Sequence, residues 1–146
     1  LISPYQQTDP VMLQLIPQQL ILGIGCHRGK SAEELSAFFH TFIRQHHLRQ
    51  EAFRKIVSID LKKEEPGICA LAQELQLPYE TWPEQVLAGV PGTFSASSFV
   101  KEVTGVDNVC ERAVIAGGAA RILVAKTAKD GMTMAVGILK EVFHVS

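Results

Sequence analysis

The chain has none of the composition biases that mark a specialised class. No apolar run approaches the ~20 residues needed to span a bilayer, and no basic stretch leading into an apolar core opens it as a signal peptide would. Lys and Arg number 14 against 15 acidic residues, for a net charge of −1. That balance excludes a dedicated nucleic-acid binder and a polybasic membrane anchor. The only cysteines are Cys26, Cys69 and Cys110, an odd number at wide spacings, which fits neither a disulfide framework nor a zinc ribbon and suits a reducing cytoplasm. His40, His46 and His47 lack the i, i+4 spacing of a helical metal site. No ligand set for a metal is visible, and no cofactor is called for. What remains is an ordinary globular composition, 47% apolar and 20% charged over 146 residues, enough for one domain that buries about two-thirds of its unfolded surface.

Two further absences lie in one segment, Leu20-Ile-Leu-Gly-Ile-Gly-Cys-His-Arg-Gly-Lys-Ser31. A P-loop needs Gly, four residues, then Gly-Lys-Ser/Thr. Gly29-Lys30-Ser31 supplies the end, but position 24 is isoleucine. The dinucleotide fingerprint needs Gly-x-Gly-x-x-Gly, whereas three residues separate Gly25 from Gly29. Asp60 could stand in for the ribose-binding acid but lies well beyond the ~20-residue spacing of that fingerprint. The segment still reads as buried strand, glycine turn and capped helix. That geometry offers backbone N–H groups to an anion, with Arg28 and Lys30 adding positive charge.

The rest of the chain alternates strands and helices. Residues 1–19, with three prolines and five glutamines, read as a linker or extended arm, as at the tail of something longer, and residues 20–146 as one domain. Ser31-Ala-Glu-Glu34 is a capping box, followed by the apolar stripe Leu35, Phe38, Phe39, Phe42 and Ile43. Ile56–Ile59 reads as a second strand, Pro66 opens a second helix, and Tyr79–Trp82 reads as a third strand before a short helix begun by Pro83. Residues 89–98 read as a Gly/Pro/Ser-rich loop that could act as a lid, and 99–103 as a short helix. Thr104-Gly-Val-Asp107 is a second capping box, opening a helix that ends at Gly117-Gly118. Two closing strands, 121–125 and 132–136, flank an Asp130-Gly131 hairpin signal. The pattern predicts an α/β fold, three-layer α/β/α, with a mixed, mostly parallel sheet ending in an antiparallel hairpin.

Four segments carry more glycine and charge than packing needs: 23–30, 58–67, 104–111 and 126–131. The first two directly follow parallel strands, so they are expected on one rim, where open α/β sheets bind ligands. Arg28, Lys30, Lys62, Lys126 and Lys129 would surround a polyanionic small molecule there. Of these, Lys126, directly after a buried strand, is the expected substrate contact, while Lys62 and Lys63 also suit a solvated run. His27 offers an acid–base group near neutral pH. Asp107 and Glu111, four apart on one helix face, read as a water-activating carboxylate pair, as a pair facing lysines across the rim, or as a cap plus a solvated acid. Glu64 and Glu65 suit the N-terminus of the helix begun by Pro66. Cys26 reads as an inert small residue despite its place beside a helix N-terminus, and Cys69 and Cys110 as core.

These strings are Gly23-Ile-Gly-Cys-His-Arg-Gly29, Ser58-Ile-Asp-Leu-Lys62 with Glu65-Pro-Gly67, Thr104-Gly-Val-Asp-Asn-Val-Cys-Glu111, and Lys126-Thr-Ala-Lys-Asp-Gly131. Taken in order, they resemble the CbiG C-terminal/CobE family of cobalamin biosynthesis from about Leu20 to Val136. The resemblance implies a cobalt-corrinoid or precorrin substrate rich in acetate and propionate carboxylates. It also implies upstream CbiG domains or other corrin-pathway enzymes as partners. Substrate would then be held by Gly23, Gly25, Cys26, Arg28, Gly29, Lys30, Lys62, Gly105, Asp107, Asn108, Lys126, Thr127, Lys129 and Gly131. If the domain takes part in opening the δ-lactone of cobalt-precorrin-5A with release of acetaldehyde, Asp60, Glu111 or His27 is the candidate base, and the residues do not choose among them. A CobE-like corrinoid carrier without bond-breaking chemistry is the alternative, and a nucleotide-binding module the third reading.

Overall fold

In a computed structural model of the chain, residues 18–90 and 109–139 are described. Most of the expected arm at 1–19 and of the expected loop at 89–98, the helix at 99–103 and the second capping box lie outside them. Five strands form one sheet: β1 (Leu20–Cys26), β2 (Phe53–Ile59), β3 (Tyr79–Trp82), β4 (Ala119–Lys129) and β5 (Met132–Leu139), in the order β3-β2-β1-β5-β4. The first three pair in parallel, while β5 is antiparallel to both β1 and β4. β4 therefore runs in the same direction as β1, β2 and β3. The last strand inserts beside the first, and the hairpin's other arm becomes the sheet edge.

β1 lies at the centre and is apolar on both faces, as a strand between two layers must be. On one face lie α1 (Ala32–Gln45) and α2 (Pro66–Leu75). The capping box of α1 is formed as expected, Ser31 Oγ accepting the Glu34 N–H and Glu34 returning the bond to the Ser31 N–H. Its stripe of Leu35, Phe38, Phe39, Phe42 and Ile43 is wholly buried. Phe39 meets Phe53 edge-on at 5.4 Å between ring centroids. Phe53 reaches this face through a register shift in β2, where Leu20 pairs with Phe53 but Ile21 pairs with Lys55. The extra residue, Arg54, turns the phenyl ring to the side of Ile56. Burying each such aromatic contributes roughly 1.5–3 kcal/mol. α2 opens on Pro66 and ends at Gln76 in the left-handed region, at φ 58°.

On the opposite face α3 (Glu84–Ala88) and α4 (Val109–Ala116) cover Ile21, Val57, Ile59 and Ala119 with Leu87, Val109, Ala113 and Val114. α4 crosses β1 at Gly23. A Cβ at that position would strike the carbonyl oxygen of Cys110, and would lie 2.8 Å from Val114 Cγ1. Gly23 is thus a packing residue that lets a helix backbone rest on a strand. The architecture is the three-layer α/β fold expected, and no described helix is long and apolar enough to cross a membrane.

Because the Gly23 contact is backbone against backbone, it has little room to relax. Gly23→Ala is expected to lose about 1–3 kcal/mol of unfolding free energy through overpacking, measured as a lower urea midpoint. A midpoint equal to wild type would show that α4 can shift away from β1.

Candidate functional site

The helices that follow β1 and β2 lie on one face, and those that follow β3 on the other. The connection therefore changes side between β1 and the β5–β4 hairpin, and open α/β sheets form a crevice outside the strand ends at such a point. The carboxyl ends of β1 and β2 meet the β4–β5 turn there, since Cys26 pairs with Met132. A crevice of about 790 Å³ opens at this rim, within the range of small-molecule sites. Its walls come from the loop after β1 (Cys26, His27, Arg28), the turn after β2 (Leu61, Lys62, Glu65), the hairpin (Lys129, Asp130, Gly131) and the first residue of α4, Val109.

Local geometry explains why these segments converge. The hairpin turns through Asp130 at φ 51° and Gly131 at φ 80°, the two consecutive positive values that the Asp-Gly signal calls for. The Gly131 carbonyl accepts the His27 N–H at 2.8 Å, fastening the hairpin to the glycine loop. The turn after β2 is a single 3-10 turn, Asp60–Lys62. It is held by the Tyr79 hydroxyl, which donates to the Lys62 carbonyl at 2.8 Å. Burial pushes the Tyr79 phenol well above its ordinary range, so it stays a donor. Beneath it the buried Ser58 donates to the Ile24 carbonyl at 2.7 Å, tying β2 to β1. α2 starts hard against the glycine loop because Gly67 has no side chain; a Cβ there would strike the Lys30 carbonyl oxygen.

The central polar contact of the crevice is one that the residue pattern did not reveal. Glu65 is 8% exposed. Its Oε2 accepts the Gly29 N–H at 2.9 Å, and its Oε1 lies 3.7 Å from Lys62 Nζ. Glu65 stands at the N-terminus of its own helix as expected, but its side chain makes no cap there. Its carboxylate crosses to the loop instead. The N–H groups expected to greet an external anion are therefore partly engaged, Gly29 by Glu65, and Ser31 and Glu34 by the capping box.

The other candidates divide by position. Gly25, Cys26, His27, Arg28, Lys62, Lys129 and Gly131 line the crevice. Gly29 is held behind it by Glu65, and Gly23 lies under α4. Lys30 is drawn to Glu34 at 3.7 Å. Asp60 is exposed and outside the crevice lining. Lys126 and Thr127 belong to β4, which runs on to Lys129 instead of ending at 125, and neither lines the crevice. Glu111 is 3% exposed, and its carboxylate accepts the Lys126 N–H at 2.6 Å. That N–H falls between Val124 and Thr127, where the β4–β5 register shifts. Glu111 thus satisfies a backbone donor at an irregularity in the ladder. Gly105, Asp107 and Asn108 lie outside the described residues. Cys69 is half-buried, its Sγ 3.5 Å from the Lys63 carbonyl, a helix-flank position more than a core one.

Cys26 is buried enough that loss of solvent pushes its thiol from 9.0 up to about 11, against the opposing pull of Lys62 and Lys30. It is a protonated wall residue at neutral pH. Burial likewise pushes Cys110 up to about 12.

Residues 20–137 match the model of the cobalamin synthesis G C-terminus family. The chain belongs to that family. It is 29% identical over 125 residues to cobalt-precorrin-5A hydrolase of Salmonella typhimurium, covering 86% of this chain but 36% of the hydrolase. It is 31% identical over 99 residues to protein CobE of a Sinorhizobium species, covering 67% of this chain and 64% of that protein. The crystal structure of CobE, a protein of the cobalamin biosynthetic pathway, superposes with a TM-score of 0.76 at 35% identity, over 86% of this chain and 93% of that one. The chain thus spans about a third of the hydrolase's length and nearly all of the solved CobE chain.

Two outcomes follow from the buried groups. Glu111→Ala removes the acceptor of a half-buried N–H and is expected to cost about 1 kcal/mol in denaturant unfolding, with Glu111→Gln recovering most of it; equal stability of all three forms would remove Glu111 from this role. For the thiols, native Cys26 and Cys110 hold their protons above the ordinary value of 9.0, to about 11 and about 12. Unfolded thiols ionise from pH 9 upward while the native ones do not, so the unfolded state binds fewer protons and stability falls as pH rises through that window. Thermal melts at pH 8, 9.5 and 10.5 read this slope, and Cys26→Ser should flatten it.

Proposed function

We propose that this domain binds a corrin precursor through its carboxylate arms, in the crevice between the β1 and β2 loops and the β4–β5 turn. The observation that carries the reading is the combination of charge and surface in one place. Arg28, Lys62 and Lys129 stand around the mouth, while Ile59, Leu61, Val109 and Met132 make an apolar wall. Leu61 is 61% exposed at the rim, so its apolar surface is available to a ligand seated there. A macrocycle with an apolar body and peripheral acetates and propionates is complementary to both features. The crevice would take one edge of it. Arg28 offers a planar fork suited to a carboxylate, and Lys129 a mobile point charge.

We further propose that the domain by itself has the binding role of a CobE-like protein, and that opening of the δ-lactone belongs to the assembled hydrolase. The location of the candidate bases supports this order of preference. Glu111 is committed to the Lys126 N–H and Asp60 is outside the crevice lining, while His27 lines it. A water-activating base has to reach the lactone carbonyl within hydrogen-bond distance of the water, and of the three only His27 stands on the crevice wall.

Titration with a cobalt corrin bearing free carboxylates, followed by calorimetry and by the corrin absorbance band, is expected to show one-to-one binding that weakens as salt rises. Arg28→Ala and Lys129→Ala should each weaken it by roughly 3- to 10-fold, with ATP and NADPH binding much more weakly. Saturation that ignores both substitutions would move the ligand elsewhere. Acetaldehyde is expected from the domain joined to the upstream part of a hydrolase and not from the domain alone.

A further inference from the structure

Glycine loops that hold phosphate place an anionic oxygen at the junction of loop and helix, against backbone N–H groups and a lysine. The loop at 23–31 has each of those parts. Gly29 sits at φ 90°, and its N–H donates to an anionic oxygen at 2.9 Å, with Lys62 Nζ on the other side of the same group at 3.7 Å. That anion belongs to the protein itself. It is the carboxylate of Glu65, 36 residues away in sequence and brought within reach because Gly67 lets α2 begin against the Lys30 carbonyl.

We infer that Glu65 is a specificity-determining residue: its carboxylate fills the anion seat of the glycine loop and keeps phosphate groups, and with them nucleotides, out of the crevice. Each partner that a phosphate would need there is engaged within the chain. The Gly29 N–H and Lys62 are held by Glu65, and Lys30 is paired with Glu34 at 3.7 Å. A phosphate brought to the Gly29 N–H would meet a nearly buried carboxylate already on that donor, and like charges at such a distance oppose one another strongly. Rejection by a built-in repulsive group is one of the two ways a site gains specificity. Arg28 and Lys129, on the same crevice but outside this pairing, are left to carboxylates that arrive from solvent. Glu65 thus occupies the anion seat of a loop that resembles two nucleotide motifs, whichever macrocycle the crevice takes.

The test is titration of wild type, Glu65→Gln and Glu65→Ala with inorganic pyrophosphate and with ATP at low salt. Affinity is read by calorimetry, and occupancy of the seat by the ¹⁵N–¹H shift of the Gly29 amide. Glu65→Ala empties the seat and is expected to bind pyrophosphate at least about 10-fold more tightly than wild type. Glu65→Gln keeps an oxygen on the Gly29 N–H but loses the charge, and a smaller gain is expected. Adding Lys62→Gln to Glu65→Ala should abolish the gain. Pyrophosphate affinity in both variants no higher than in wild type would overturn the inference, as would wild type binding pyrophosphate as tightly as Glu65→Ala. If thermal melts show Glu65→Ala unfolded, Glu65→Gln decides alone, by gain or no gain. The corrin titration is a separate measurement: failure to bind the macrocycle would sink the proposed function and leave the pyrophosphate result standing.

Discussion

The bond from the Gly29 N–H to the Glu65 carboxylate is the joint on which the rim of this domain depends. It connects the loop after the central strand to the start of the helix after β2, through an acceptor, Glu65, that is only 8% exposed. A charged acceptor on a backbone donor is among the stronger hydrogen bonds available to a protein, and the neighbouring Lys62 supplies the countercharge. Around this joint the other contacts fall into place. The Tyr79 hydroxyl holds the turn that carries Leu61 and Lys62, and the Gly131 carbonyl holds His27. These parts of the crevice wall are therefore fastened to the sheet.

Close backbone approach is the second constraint. Gly23 admits α4 onto β1, and Gly67 admits α2 onto the glycine loop. Both glycines belong to strings that looked like ligand-binding motifs. Their place in the structure is packing, and they serve the crevice indirectly by setting how near the helices come. Glu111 belongs with them. It fills the gap left by a register shift in β4 and so keeps the long edge strand on the sheet.

Much of the domain was legible from local pattern. Periodicity and caps located α1, α2 and the parallel strands, and Asp130-Gly131 located the hairpin, because these signals arise from neighbours within one or two turns of chain. The rule for strand ends was enough to place the loops after β1 and β2 on one rim. Two readings needed more. Lys126 looked like a loop cation because the apolar run stops at Ala125, yet pairing with β5 extends β4 to Lys129. Glu65 is the helix-N-terminal acid that Pro66 suggested, but adjacent residues do not show that its carboxylate reaches the Gly29 N–H 36 residues away.

The amino-acid sequence by itself determined most of the described elements, the layer architecture and the order of motifs that marks the family. Each follows from short-range periodicity, turn chemistry or the order of motifs along the chain. Only the tertiary structure decided which charges face the crevice and which are spent inside the molecule. Glu65, Glu111 and Lys30 are charged residues of similar appearance in sequence. One carboxylate is committed across 36 residues, another across 15, and the lysine to a neighbour one helical turn away. The first two distances are set by how helices seat on the sheet, and a hydrogen bond depends on that seating to within tenths of an ångström.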